Sequence, residues 1–146
     1  ANKDVPKARL LQICHSQGAI DVRNALIGLP SEIQNRVIVV AIAPAAVVPK
    51  RLCFKSYNYA SENDFVYKFE PPPPRPIVSL TLDDVIIPTF GEALDNRDEL
   101  IILEAHPKTD GIDHYFQSLT YHDVLKKVID IYELHKGEYL PEEKEI

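Results

Sequence analysis

The segment that most constrains the fold is residues 36–43, a nearly continuous run of β-branched and small apolar side chains with the sequence Arg-Val-Ile-Val-Val-Ala-Ile-Ala. A strand that is apolar on both faces must be covered on both faces. Such strands occur almost only inside parallel sheets that are flanked by helices. We therefore predict an α/β fold with a parallel sheet, and we place this run in the interior of the sheet.

The remaining elements alternate as such a fold requires. Apolar residues at helical spacing predict an amphipathic helix over residues 16–29 and a longer helix over residues 118–135. Further strands are predicted at residues 8–14, 52–59 and 100–105, and a short helical turn at residues 31–34. The sequence thus predicts about four parallel strands with flanking helices, in a single domain that spans residues 1–146.

Three segments do not fit this alternation. Residues 71–76, Pro-Pro-Pro-Pro-Arg-Pro, predict an extended polyproline connector, because proline cannot donate a hydrogen bond to a sheet. The apolar residues within 77–96 are consistent with either a strand or a helix, so the sequence does not assign this segment. Residues 138–146 predict a loosely held acidic tail. The chain opens on Ala1 instead of Met, which is typical of a trimmed or processed piece.

Charge and composition exclude several classes of protein. The net charge of -6 and the lack of a Lys/Arg cluster argue against a nucleic-acid partner. No apolar run approaches the roughly 18 residues that a membrane span needs, and this chain shows no signal peptide. The two cysteines, Cys14 and Cys53, lack metal-ligand spacing, and no glycine-rich phosphate motif is present, so we predict neither metal nor cofactor. Cysteines that are not paired in a disulfide would favour a cytoplasmic location.

The chemistry is predicted at residues 10–20, Leu-Leu-Gln-Ile-Cys-His-Ser-Gln-Gly-Ala-Ile. An apolar strand ends there and helical periodicity begins at once, which places Ser16 at the tip of a sharp turn. Such a turn presents the serine Oγ above the sheet. The residues two positions before and after the serine must be small, because strand and helix approach closely. Here they are Cys14 and Gly18, so the pattern is C-H-S-Q-G.

This segment resembles the nucleophile elbow of the α/β-hydrolase superfamily, particularly the G-H-S-x-G form of lipases and esterases. The resemblance covers only the C-terminal half of that fold, because fifteen residues precede Ser16 where the family has several strands. It also implies that the two cysteines lie on non-adjacent strands and form no disulfide. The Cys-His-Ser-Gln-Gly-Ala and Gly-Ile-Asp-His-Tyr-Phe segments are also similar to an uncharacterised family of chlamydial proteins, which implies no known activity.

In α/β-hydrolases the nucleophile is followed along the chain by an acid and then by a histidine, each after a strand. Asp64 follows the third predicted strand in Asn-Asp-Phe-Val, which is similar to the family's D-x-V segment, and Glu62 is an alternative acid. His114 lies after the fourth strand in Gly-Ile-Asp-His-Tyr-Phe, and His106 is the alternative base. The resemblance therefore implies a Ser16-Asp64-His114 triad.

Other residues complete the predicted site. The backbone N–H of Gln17, the residue after the nucleophile, would bind the oxyanion. His15 matches the histidine that precedes the nucleophile in many lipases, and we interpret it as structural. Each assignment has a structural alternative, since Ser16 could be a helix N-cap and Asp64 could close an Asx-turn. Three aromatic residues after the histidine would line the site or pack under the last helix: Tyr115, Phe116 and Tyr121.

Two functions are consistent with these residues. The first is a serine hydrolase of esterase or lipase type that acts on a small acyl or ester substrate. The second is an inactive, hydrolase-derived interaction or oligomerisation domain. In either case the strand at residues 8–14 would leave one edge unpaired, and exposed apolar edges recruit other strands. We therefore predict that a second copy in a homo-oligomer, or a missing N-terminal half of the same protein, covers this edge.

Overall fold

The computed structural model describes residues 9–66, 97–109 and 111–135. Within these ranges four strands form one parallel sheet in the spatial order β1-β2-β3-β4. The strands are β1 (Leu10–His15), β2 (Val37–Ile42), β3 (Lys55–Ser61) and β4 (Leu100–Leu103), and the helices are α1 (Gly18–Ile27), α2 (Ser31–Gln34) and α3 (Leu119–His135). The predicted α/β fold, with about four parallel strands and flanking helices, is confirmed.

Strand β2 has the buried position that its composition predicts. All six of its residues are buried, and it pairs with β1 on one side and with β3 on the other. Successive side chains of a strand point to opposite faces of the sheet. Each face of β2 therefore presents apolar side chains to a separate helical layer, and the domain has three layers.

The two layers are held by different helices. Helix α1 packs on one face of the sheet in a core cluster that comprises Cys14, Ala19, Val22, Leu26, Val37, Val39, Ala41, Val48, Leu52 and Cys53. Helix α3 packs on the other face in a cluster that comprises Leu11, Ile13, Val40, Ile42, Ala43, Tyr57, Tyr59, Leu103, Tyr121, Leu125 and Val128. Because the strands are parallel, their carboxyl-terminal ends all lie at the same end of the sheet. The loops that follow β1, β3 and β4 therefore lie together at that end.

The loop between β2 and β3 is fixed to the sheet by a buried amide. The side chain of Asn58 is fully buried and pairs with the backbone of Val48 in both directions, accepting from its N–H at 2.9 Å and donating to its carbonyl at 3.0 Å. Ser56 Oγ also donates to that carbonyl, at 2.6 Å. This loop includes Ala45, whose N–H contacts the elbow described below.

Several predicted boundaries shift. The helix predicted from residue 16 begins at Gly18, because Ser16 adopts a left-handed backbone conformation. The strand predicted from residue 52 begins at Lys55, because Lys50–Leu52 forms a 3-10 turn. Strand β4 ends at Leu103 and not at residue 105. The predictions for residues 71–76, 77–96 and 138–146 lie outside the described residues.

Candidate active site

The elbow is a two-residue turn. Strand β1 ends at His15 and helix α1 begins at Gly18, so only Ser16 and Gln17 lie between them. Ser16 has a φ of 50°, a conformation that costs an L-amino acid about 1–3 kcal/mol and persists only where the surroundings enforce it. Three backbone hydrogen bonds enforce it here. The Ser16 N–H donates to the Ile42 carbonyl at 3.2 Å, and the Ser16 carbonyl accepts from the N–H groups of Ala19 and Ala45, both at 3.1 Å.

The residues that flank the serine fit without a steric conflict. A Cβ atom added to Gly18 would lie 3.7 Å from the Cβ of Cys14, which is an ordinary van der Waals contact. Strand and helix therefore approach less closely than the sequence-based expectation required. For this reason a cysteine is accommodated where the usual pattern has glycine.

The acid comes from the loop that follows β3. Asp64 is completely buried, and its N–H donates to the Ser61 carbonyl at 2.9 Å. One carboxylate oxygen, Oδ1, accepts from the Val66 N–H at 2.9 Å and also lies 3.0 Å from Nδ1 of His114. The alternative acid, Glu62, is exposed, and its carboxylate accepts instead from the Ala105 N–H at 3.0 Å.

The histidine comes from the loop between β4 and α3. His114 Nδ1 lies 3.0 and 3.1 Å from the two carboxylate oxygens of Asp64, and His114 Nε2 lies 2.8 Å from Ser16 Oγ. The alternative, His106, is placed elsewhere. Its Nδ1 accepts from the Lys108 N–H at 3.2 Å, and its own N–H donates to Thr120 Oγ1 at 3.0 Å. The structure thus brings together the three side chains that the sequence order singled out.

The partners of the imidazole define its tautomer. A carboxylate only accepts hydrogen bonds, so the Nδ1 that faces Asp64 carries the hydrogen. The Nε2 of the neutral ring then presents a lone pair to Ser16 Oγ, whose hydroxyl donates to it. This is the arrangement in which a histidine can remove a proton from a serine as that serine attacks.

His15 supports the backbone of the histidine loop. Its Nε2 lies 2.7 Å from the carbonyl oxygen of His114, and because a carbonyl only accepts, His15 carries its hydrogen on Nε2. The ring of Phe116 meets the ring of His15 edge-on at 5.8 Å, and the ring of Phe65 lies 5.9 Å from that of His114. The hydrogen bond to the His114 carbonyl and the contact with Phe116 agree with the structural interpretation of His15.

Gln17 occupies the N-cap position of α1, where backbone N–H groups point out of the helix. Among the described residues, none accepts a hydrogen bond from the Gln17 N–H. The positive end of the helix dipole lies at the same place and favours negative charge there. An oxyanion formed beside Ser16 would therefore meet a favourable electrostatic environment.

Sequence reasoning did not consider Asp113 and gave no defined role to Tyr121. Asp113 is buried directly before His114, and Tyr121 is buried in the first turns of α3. Burial alone would raise the pKa of Asp113, but hydrogen bonds from Ser118, Thr120 and Ser61, together with the charge of His106, hold that pKa below its usual value. The hydrophobic pattern detects only the ring of a tyrosine, so the sequence carries no signal for its hydroxyl partners.

Neither a metal-binding cluster nor a membrane span is found in the part of the chain that the structure describes. No group of three or more His, Cys, Asp or Glu side chains in those ranges could hold a metal ion. The helices there are too short or too polar to cross a bilayer. Comparison with family models, with curated proteins and with solved structures returned no match.

Proposed function

We propose that the protein is a serine hydrolase of esterase or lipase type that cleaves a small ester or acyl substrate. The observation that carries the proposal is the continuous hydrogen-bonded chain from Ser16 Oγ to His114 Nε2, at 2.8 Å, and from His114 Nδ1 to the Asp64 carboxylate, at 3.0 Å. A serine hydroxyl is a poor nucleophile until a base removes its proton, and the base needs a group that orients it. In this proposal His114 is the base, and Asp64 is the group that orients it.

The reaction would proceed in two halves. Ser16 Oγ forms a bond to the substrate carbonyl carbon while its proton passes to His114 Nε2, and the Gln17 N–H stabilises the negative oxygen. When the tetrahedral intermediate collapses, the carbon–oxygen bond to the leaving alcohol breaks, and that alcohol takes the proton from His114. A water molecule then attacks the acyl carbon and gives a proton to His114 Nε2. The bond from the acyl carbon to Ser16 Oγ breaks, the acid leaves, and Ser16 Oγ takes that proton back from His114. Asp64 keeps a hydrogen on His114 Nδ1 throughout.

The order of these residues also supports a relationship with the α/β-hydrolase superfamily. Ser16 follows β1, Asp64 follows β3 and His114 follows β4, so nucleophile, acid and base arise at the carboxyl ends of parallel strands in the family's order. The left-handed conformation of Ser16 is a further point of similarity, since a strained strand-to-helix turn is the hallmark of the elbow.

A fluorophosphonate probe tests the proposed function directly, because it reacts with activated serines. We expect it to label the folded protein at Ser16, to lose that labelling in Ser16→Ala, and to label Ser31→Ala normally. Ser31 is an exposed serine at the start of α2 and serves as the matched control. Failure of the wild-type protein to react, or labelling that persists in Ser16→Ala, would contradict the proposal. The modified residue is identified by mass spectrometry.

We also propose that a second copy of the chain covers the free edge of the sheet. Within the described residues β1 has a strand neighbour on one side only, and Leu10 on this edge is 48% exposed. An apolar edge strand is a template for another strand. We expect light scattering after size exclusion at micromolar concentration to give the mass of a dimer or larger assembly. Leu10→Lys should dissociate it, and Ile101→Lys on the opposite edge should not. A wild-type monomer would rule this out.

A further inference from the structure

The two loops that supply the acid and the base are joined by a buried hydroxyl. Tyr121 is completely buried, and its hydroxyl accepts a hydrogen bond from the Ser61 N–H at 2.9 Å and donates one to the Asp113 carbonyl at 3.0 Å. Ser61 is the last residue of β3, three positions before Asp64. Asp113 directly precedes His114. One oxygen atom therefore joins the end of β3, from which the acid loop leaves, to the loop that carries His114.

Further contacts tie the same two loops together. The Asp113 N–H donates to the Asn63 carbonyl at 3.4 Å, so backbone meets backbone beside Asp64. The Asp113 carboxylate accepts a hydrogen bond from Thr120 Oγ1, next to Tyr121 at the start of α3. The beginning of α3 thus holds the histidine loop through its side chains and holds the acid loop through Tyr121. The hydrogen bonds of Tyr121 and Thr120 described above go to Ser61, Asp113 and His106, and not to the side chains of Ser16, Asp64 or His114.

We propose that Tyr121 is a positioning residue. Its hydroxyl fixes the distance between Asp64 and His114, and thereby the tautomer and the orientation of the imidazole. This inference rests on the proposed function for its effect on rate, but the hydrogen bond that it concerns exists independently of any substrate. Without the hydroxyl, the Ser61 N–H and the Asp113 carbonyl lose a buried partner. Buried polar groups without partners are rare, so the loops must move to find one. A displacement of about 1 Å at an active site slows chemistry by roughly 10²-fold.

The substitution Tyr121→Phe isolates the hydroxyl, because the ring keeps its place in the core. Tyr132→Phe is the matched control, since Tyr132 lies on the same helix and its hydroxyl donates to the Arg9 carbonyl at 3.2 Å, away from Ser16. We expect fluorophosphonate labelling of Ser16 to slow by about 10²-fold in Tyr121→Phe and to stay near the wild-type rate in Tyr132→Phe. Thermal unfolding of both variants shows whether they lose similar stability.

A spectroscopic measurement separates positioning from a general structural role. His114 Nδ1 lies 3.0 Å from Asp64 Oδ1, and we expect the proton on this nitrogen to give a far-downfield NMR resonance in the wild-type protein. We expect this resonance to shift or broaden in Tyr121→Phe and to be unchanged in Tyr132→Phe. If both the resonance and the labelling rate of Tyr121→Phe match those of Tyr132→Phe, the proposal is wrong. If the wild-type protein never reacts with the probe, the proposed function fails, and the resonance alone still decides the role of Tyr121.

Amide exchange in the wild-type protein gives a test that needs no variant. Ser61 N–H should exchange slowly with deuterium, because the Tyr121 hydroxyl accepts from it inside the core. Gln17 is an exposed residue, and no described residue accepts a hydrogen bond from its N–H, so this amide provides the fast reference. Exchange of the Ser61 amide at the rate of Gln17 would overturn the proposal even if Tyr121→Phe did not fold.

Discussion

Replacement of Asp64 by Asn is expected to slow fluorophosphonate labelling of Ser16 by about 10⁴-fold while the protein remains folded. The amide has the shape of the carboxylate, and its oxygen can still accept from the Val66 N–H, which lies 2.9 Å from Asp64 Oδ1. Its nitrogen, however, donates to His114 Nδ1. The imidazole must then carry its hydrogen on Nε2, and it can no longer accept the proton of Ser16.

The measurement is the second-order rate constant of labelling, with circular dichroism and thermal unfolding as checks on the fold. Glu62→Gln is the matched control, because it makes the same carboxyl-to-amide change two residues away on a side chain that contacts the Ala105 N–H. We expect the rate for Glu62→Gln to equal the wild-type rate. A loss smaller than about tenfold in Asp64→Asn, or an equal loss in both variants, would show that Asp64 does not orient the base.

Sequence patterns predicted the layers of this fold because those patterns record burial. The run that became β2 is apolar at every position, and all six residues of the strand are buried. The boundaries were less accurate, because they depend on local hydrogen bonds that composition does not encode. The start of β3 at Lys55 is an example. Leu52 and Cys53 are apolar and buried, as strand residues would be, but Leu52 ends a 3-10 turn and Cys53 directly follows it.

In the candidate site, too, sequence patterns predicted which residues are involved but not the contacts between residues that are distant along the chain. Chain order and strand ends were enough to select Ser16, Asp64 and His114, which the structure places in one hydrogen-bonded chain. Their catalytic role stays a prediction. Sequence alone left Glu62 and His106 as alternatives, because Glu62 lies two residues before Asp64 and His106 lies in the same loop as His114. Only long-range contacts decide which histidine faces Ser16 and which acid faces that histidine. The partners of the Tyr121 hydroxyl are likewise separated from it along the chain, by 60 residues for Ser61.

Cys14 lies two residues before Ser16 and carries a second nucleophilic group beside the elbow. Burial raises the pKa of the Cys14 thiol to about 12, and its Sγ lies 3.8 Å from the Val40 carbonyl oxygen. Burial also raises the pKa of Cys53 to about 11, reinforced by the charge of Glu99 and partly offset by a hydrogen bond with Ser56. Only the thiolate reacts with alkylating reagents. A raised pKa lowers the thiolate fraction at any pH below it, so both thiols should be unreactive near neutral pH.

At pH 8 we expect iodoacetamide to alkylate Cys14 about 10³-fold more slowly than an ordinary thiol, and Cys53 about 10²-fold more slowly. Both rates should rise about tenfold for each pH unit, and they should continue to rise past pH 9, where a free thiol levels off. The alkylation rate that is lost in Cys14→Ala belongs to Cys14, and the rate that is lost in Cys53→Ala belongs to Cys53. Protein unfolded in guanidinium, in which both thiols are exposed, should react at ordinary speed.

This measurement also separates serine from cysteine chemistry at the elbow. If Ser16 is the nucleophile and Cys14 is only a packing residue under the turn, iodoacetamide treatment at pH 8 leaves fluorophosphonate labelling unchanged. Cys14→Ala should likewise retain labelling, because the smaller side chain still fits opposite Gly18, where the two Cβ positions are 3.7 Å apart. Alkylation of Cys14 at the rate of a free thiol, or loss of probe labelling in Cys14→Ala, would contradict this assignment.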